Sequence, residues 1–503
     1  MIALFFLTQL TSAQTSLKEF NLEFGPYSVG FEHFTQYDSS RTYSRVSDYS
    51  NSKIPRPIST SIWYPSKAKT GGLEPLTVLN YWEVLKEEEE WEHLPNEFLL
   101  DWFYYSNTPE NQAHMKESTL AFKALPKAEG KFPVILYTPS FQASSIENFA
   151  FCEFLASHGY LVISGPSRGT DTRWFGNSTQ KEMHTQARDV EFLLAQLSSN
   201  PMADLEKIAV AGFSFGGLSN VIASVRNKQI KANLSLDGTE RYHYEWIAES
   251  PFYSDEKMDI PYLHLAQKKI PDSVMKADGL DPSLENIFPL YDSIGTNDTY
   301  KLQMNDLTHS YFATMGILFG TRDPRQDKSD REIMDSYKLV CQYGLNFLNA
   351  YLKEDKDALA FIQAKPESNG IENRLISFEM RKGPKKEYSF EDFNDYASAN
   401  NYQNLKSLYE ESKSKHPELM MPEGKMNSVG LQLVFNPETS QKGIDMFLLA
   451  LELYPESANL YDSLAEGYLF IGEKEKAIQN FEKSLELYPQ NTNAIKRLKQ
   501  LKK

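Results

Sequence analysis

The run Lys207-Ile-Ala-Val-Ala-Gly-Phe-Ser214-Phe-Gly-Gly217, continuing as Leu218-Ser-Asn-Val-Ile-Ala-Ser-Val225, decides the fold. Its first half is a short apolar stretch of strand type, and its second half is an apolar helical stretch. Between them, Gly212-Phe-Ser-Phe-Gly216 makes the turn. A strand that passes so abruptly into a helix strains the central residue. Only glycines two positions to either side leave room for the crossing chains. The hydroxyl of Ser214 is then lifted above the sheet, and the amide of Phe215 points to the same spot. A bare G-x-S-x-G pattern is common, and the strand before it and the helix after it supply the context that gives it meaning. Ser214 is therefore expected to be a nucleophile.

Working outward, strands and helices alternate. Pro133–Tyr137, Tyr160–Ser164, Ala232–Leu236, Pro261–Leu265 and Lys301–Met304 read as strands. Ile146–His158, Met183–Leu197 and Ile333–Leu352 read as helices, the first closed by Gly159 at a C-cap position. This rhythm predicts an α/β fold: a mostly parallel sheet with helices on both faces, over residues 14–365. Tyr27–Phe31 and Ile58–Tyr64 predict an antiparallel start to the sheet. Residues 73–127 read as an acidic, aromatic-rich insertion, with Glu87–Glu90 on a solvated helix face. A Lys/Pro/Gly/Ser-rich passage over 366–386 reads as a linker. Residues 387–503 are helical, and Leu451-Glu-Leu-Tyr-Pro455 recurs as Leu485-Glu-Leu-Tyr-Pro489, a period of 34 residues. That period resembles the tetratricopeptide repeat, over about 424–489. Tyr461, Leu464, Tyr468, Gly472, Ala477, Phe481 and Pro489 carry the likeness, while the preceding unit has a poor first helix. The repeats offer a surface for a protein partner, or simply a stabilising appendage.

A serine hydroxyl needs a positioned histidine to take its proton, and the imidazole needs an acid to orient it. In this fold the chain order is serine, acid, histidine. Of the nine histidines, His309 stands out, just after a strand and before an apolar segment. His264 lies inside an apolar strand as a core residue, His243 sits close to the acid candidate, and His416 belongs to the helical appendage. For the acid, Asp237 ends the strand Asn233–Leu236 at the carboxyl edge of the sheet, where ligands of open α/β sheets gather. Asp272 follows the next strand and is the alternative, and Asp306 reads as local loop chemistry.

Four passages within Phe132–Phe312 resemble the platelet-activating-factor acetylhydrolase and dienelactone-hydrolase-like group of α/β-hydrolases. They are Glu153–Val162, Asp189–Leu197, Lys207–Gly217, and the pair Leu236-Asp237 with Thr308-His309. The resemblance implies an esterase with Asp237 as its acid, and an oxyanion hole built from the amides of Phe215 and Phe141. Where that group usually has His-Gly after the first central strand, this chain has Pro139-Ser140, and proline donates no amide. A dienelactone hydrolase places cysteine at the nucleophile, which Ser214 speaks against. The aromatic-rich stretch 242–295, with Trp246, Phe252 and Phe288, is expected to form a lid over an apolar acyl or aryl pocket.

Composition narrows the function classes. At 503 residues, 41% hydrophobic and 24% charged, the chain is globular and long enough for two domains. A formal charge of −16 gives no basic stripe for nucleic acid and no polybasic patch for an anionic membrane. No metal-ligand spacing and no phosphate-cradling loop occurs, so no cofactor is expected. Residues 1–13 are a short apolar run ending in small residues, as in a secretory signal cut after Ala13, and predict an exported, periplasmic or secreted protein. No other apolar run reaches the length of about 18 residues needed to span a membrane. Cys152 and Cys341 each sit in an apolar helical stretch as small core residues.

Three readings follow. The first is a serine hydrolase cleaving a small-molecule or lipid-like carboxylic ester through an acyl-enzyme on Ser214. The same triad cleaves amides, so a serine peptidase is the second. A non-catalytic scaffold that binds through its repeats is the third.

Overall fold

The computed structural model describes residues 15–50, 52–176, 179–277, 279–384 and 388–502. The signal-like residues 1–13 lie outside them. The chain divides into two compact units, the first ending at Pro384.

In the first unit ten strands form one sheet. They are β1 (Ser28–Tyr43), β2 (Ile54–Ser66), β3 (Ala121–Lys123), β4 (Phe132–Thr138), β5 (Leu161–Ser164), β6 (Ala203–Phe213), β7 (Ile230–Leu236), β8 (Tyr262–Ala266), β9 (Thr299–Met304) and β10 (Ile376–Arg381). Their spatial order is β10-β9-β8-β7-β6-β4-β5-β2-β1-β3. The run from β5 to β9 is parallel throughout, with β2 antiparallel to β5 and β10 antiparallel to β9 at its two sides. Every residue of β4 and β5 is buried, which is why these strands read as unbroken apolar runs rather than alternating ones.

The period of two still sorts the side chains. In β6, Ala209, Ala211 and Phe213 enter one core with the helices Phe149–Ser157 and Asp330–Leu352. Ile208 and Val210 enter the other, with the helices Thr179–Gln196 and Phe215–Arg226. Two cores separated by a mostly parallel sheet, with Ser214 at the sharp turn from β6 into the helix Phe215–Arg226, are the layout of an α/β-hydrolase fold. Cys152 and Cys341 are both free and buried on the first face.

Three segments depart from expectation. Residues 366–386, expected as a linker, contain β10, which pairs with β9 from Ile376↔Met304 to Arg381↔Thr299. An edge strand with one solvated face alternates polar residues (Ser377, Glu379, Arg381), so it carries no continuous apolar signal. The acidic run Glu87–Glu90 is not a solvated face. The helix Val78–Glu88 ends there, Glu88 is buried, and it accepts hydrogen bonds from Ser144 Oγ, Ser145 Oγ and Ser145 N. Glu89 pairs with Arg168 at 2.7 Å. The stretch 242–295 is not a single lid either, because β8 runs through the sheet within it.

The second unit holds seven helices among the described residues, from Phe390–Ala399 to Thr492–Leu501. The weak first helix expected before the 34-residue repeat forms as Glu423–Val434. Its Gly430 has no side chain where the Phe447 ring sits, since a Cβ there would lie 2.5 Å from that ring. Met426, Gly430 and Val434, spaced four residues apart, form the buried face of this helix.

Candidate active site

Ser214 stands between β6 and the helix Phe215–Arg226 with φ 54° and ψ −119°, a backbone region that costs of order 1–3 kcal/mol for a residue with a side chain. Neighbouring chains hold the strain in place. Ser214 N donates to Leu236 O at 3.1 Å, and Ser214 O accepts from Gly217 N and Thr239 N, both at 3.0 Å. A Cβ on Gly216 would lie 2.0 Å from Thr138 O, and one on Gly212 would lie 2.6 Å from the Gly216 carbonyl carbon. The glycines are present because backbone passes where side chains would be.

Asp237 follows β7 with φ 44° and is fully buried. Its Oδ1 accepts from Gln267 N at 2.8 Å, and its Oδ2 lies 2.6 Å from His309 Nδ1. His309 Nε2 is in turn 2.9 Å from Ser214 Oγ. Burial opposes ionisation of Asp237, but the hydrogen bond and charge of His309 and the Gln267 amide outweigh it, so the carboxyl lies below the usual aspartate range. An ionised Asp237 fixes the proton on Nδ1, which leaves Nε2 to accept the Ser214 hydroxyl. The structure thus brings Ser214, Asp237 and His309 together. Asp272 is exposed at the start of the helix Asp272–Ala277. Asp306 is held by Arg374 at 3.1 Å and Lys328 at 3.4 Å, and neither aspartate meets His309.

Phe215 opens its helix, so its amide has no acceptor one turn back. Among the described residues neither Phe215 N–H nor Phe141 N–H is engaged in a hydrogen bond. The rings of Phe141, Phe175 and Phe215 pack edge to face, with centroids 4.3, 5.2 and 5.9 Å apart. The strap Pro139-Ser140-Phe141-Gln142 is therefore set against the elbow.

Beside His309 lies a cavity of about 420 Å³. Its wall includes Phe213, His309 and Ala313 from the sheet side, Ser140 and Glu147 from the strap side, and Leu85, Phe103 and Tyr105 from the 73–127 insertion. Trp246, Phe252 and Phe288, expected to line a lid, are not in that wall. Phe288 packs under Arg241, 4.0 Å from the guanidinium carbon, and Phe252 meets Arg226 at 4.1 Å. The insertion, not the stretch 242–295, covers this side of the site.

Two acids escaped the sequence reading. Glu147 accepts both Ser140 N–H (2.8 Å) and Ser140 Oγ–H (2.5 Å). Burial pushes its carboxyl up to about 7, against the pull of those two hydrogen bonds. Glu240 is buried behind the elbow, where it accepts from Tyr262 OH at 2.7 Å and lies 3.1 Å from His264 Nδ1. Burial opposes its ionisation, but His264 and the hydroxyls hold it below the usual range. His264 is thus a buried, partnered histidine inside β8. No spacing rule marks either acid, because each acts on residues brought near by the fold.

Residues 105–237 match the family model described as Chlorophyllase. The matched stretch is about a quarter of the chain and contains Ser214 and Asp237 but not His309. Among solved structures, a ferulic acid esterase from Streptomyces cinnamoneus shares 18% sequence identity, over 70% of this chain and 96% of that chain, with a TM-score of 0.49. No curated protein matches the chain.

Proposed function

We propose that this chain is a serine esterase-type hydrolase that cleaves a carboxylic ester through an acyl-enzyme on Ser214. The hydrogen-bonded series Asp237–His309–Ser214, with distances of 2.6 and 2.9 Å, is the observation that carries the reading. The match over residues 105–237, which spans the nucleophile strand, elbow and acid, supports it.

In this reading His309 Nε2 takes the Ser214 proton as Oγ attacks the acyl carbon. The amides of Phe215 and Phe141 receive the oxyanion, each such donor being worth about 2.7–4 kcal/mol in the transition state. His309 then gives its proton to the departing alcohol, and water, activated by the same imidazole, releases the acid. Asp237 stays ionised throughout and stabilises the imidazolium. The cavity beside His309 suits one uncharged, medium-sized half of the ester. A cavity of about 150 Å³ holds a benzene, and this one is 420 Å³. We read the helices around 424–489 as a tetratricopeptide-like module available to a protein partner, and residues 1–13 as an export signal.

The test is to incubate the full chain, and Ser214→Ala beside it, with a fluorophosphonate probe and p-nitrophenyl esters of rising acyl length. Labelling and turnover that vanish in Ser214→Ala are expected, the loss being about 10⁶-fold in kcat. Turnover of peptide amides alone, or no signal dependent on Ser214, rejects the esterase.

A further inference from the structure

In the strap after β4, Pro139 brings no amide that could hold the turn. Something else must hold its shape, and the contacts show what does. The Pro139 carbonyl accepts Gln186 Nε2 at 2.9 Å, and Gln186 is itself held by Ser219 Oγ at 2.7 Å, from the helix that follows the elbow. At the other end, Gln142 has φ 52°, its side-chain oxygen accepts Phe175 N at 2.8 Å, and its carbonyl accepts Arg168 Nη1 at 3.3 Å. Between these anchors the Ser140 carbonyl accepts Ala143 N at 3.2 Å within the turn, and among the described residues Glu147 is the side chain that grips the amide and hydroxyl of Ser140, one with each oxygen. Its own carbonyl accepts Met315 N at 3.1 Å, on the segment that leaves His309. Glu147 therefore joins the strap to the histidine loop, and its side chain lines the cavity between them.

We propose that Glu147 is a positioning residue for oxyanion binding: by holding the amide and hydroxyl of Ser140 together, it fixes the turn that presents Phe141 N–H to the carbonyl attacked by Ser214. The proposal rests on the esterase reading above. With Ser140 N–H spent on Glu147 and no N–H on Pro139, the amides of Phe141 and Gln142 are the strap donors left unpaired among the described residues, and Phe141 is the one whose ring packs on Phe215 beside the elbow. A misplacement of about 1 Å at such a donor costs on the order of 10²-fold in rate.

The residue type can be tested by its hydrogen bonds. Leucine at 147 removes both acceptors. Glutamine keeps the clamp, because its oxygen accepts Ser140 N–H and its amide donates to a Ser140 hydroxyl that has turned round. Full-length Glu147→Leu, Glu147→Gln and Ser140→Ala are compared with the wild type for p-nitrophenyl ester turnover and for amide hydrogen exchange across 138–145. Expected are a kcat about 10- to 100-fold lower in Glu147→Leu with KM within about threefold, faster exchange confined to the strap, and recovery to within about fivefold in Glu147→Gln. Ser140→Ala, which keeps one arm of the clamp and does not disturb the core, should fall by about 3- to 10-fold. Glu147→Leu within threefold of wild type, or Glu147→Gln as damaged as Glu147→Leu, overturns the role of Glu147. If Glu147→Leu does not fold, an unchanged kcat in Ser140→Ala overturns it instead. Wild-type turnover that survives Ser214→Ala is a different failure, since it removes the esterase reading itself and this proposal with it.

Discussion

The carboxylate of Asp237 lies 2.6 Å from Nδ1 of His309, although 72 residues separate them in the chain. The acid is fully buried while the imidazole is about one-third exposed. One end of the pair is therefore rigid and the other reachable by substrate. Asp237→Asn should lower kcat by about 10⁴-fold on p-nitrophenyl esters, because an amide at this position favours the wrong imidazole tautomer. Asp272→Asn, at an exposed helix start, should stay within about threefold. The reverse ranking would assign the acid to Asp272.

Gly216 lies in the first turn of the helix Phe215–Arg226, at the point where Thr138 O crosses. Gly216→Ala places a Cβ 2.0 Å from that backbone oxygen, and neither partner is a flexible side chain. A loss of roughly 3 kcal/mol or more in urea unfolding is expected. Gly71→Ala, where a Cβ meets nothing within 4 Å, should change stability by no more than about 0.5 kcal/mol. Equal effects at the two glycines would contradict the crossing-chain account of the elbow.

Glu153 is buried in the helix Phe149–Ser157, where Tyr81 OH donates to it at 2.7 Å and the amides of Leu120 and Ala121 donate at 3.1 and 3.2 Å. Burial outweighs these donors and raises its pKa from 4.5 to about 7. Between those two values the folded protein holds a proton that the unfolded chain has lost, so stability falls as pH rises through the window. The contribution is complete below about pH 4.5 and gone above about pH 7. Glu153→Gln should therefore destabilise more at pH 5 than at pH 8, by of order 1–3 kcal/mol in urea midpoints. A pH-independent difference would falsify this assignment. Glu147, raised in the same sense, adds to the wild-type slope but cancels in the comparison.

The cavity beside His309 is bounded by Ala313 on one side and by Phe103 from the insertion on the other. Ala313→Leu should shrink it and lower kcat/KM for bulky esters relative to acetate by about tenfold or more. Phe103→Ala should shift the preference toward larger esters. A ratio unchanged in both variants would place the substrate elsewhere.

What could be read from the residues alone was whatever the backbone expresses locally. The strand–turn–helix around Ser214 is written in consecutive residues, because the glycines answer to steric limits at their own positions. The buried parallel strands announce themselves because both faces are covered, and the helices of the C-terminal unit follow from their period. What only the tertiary structure decided were relations between distant segments. β7 and β8 lie side by side, so the tip of one can carry the acid while Gln267, after the other, donates to it. Glu88 and Glu147 look like ordinary helix-end carboxylates until the fold sets Ser140, Ser144 and Ser145 against them. The half-solvated edge strand β10 was hidden in a polar passage, and part of the cavity wall came from the insertion between β2 and β4 rather than the stretch after β7. Local conformation depends on neighbours along the chain, whereas a site is set by strand order and packing, which bring together groups whose separation in sequence carries no record of their distance in space.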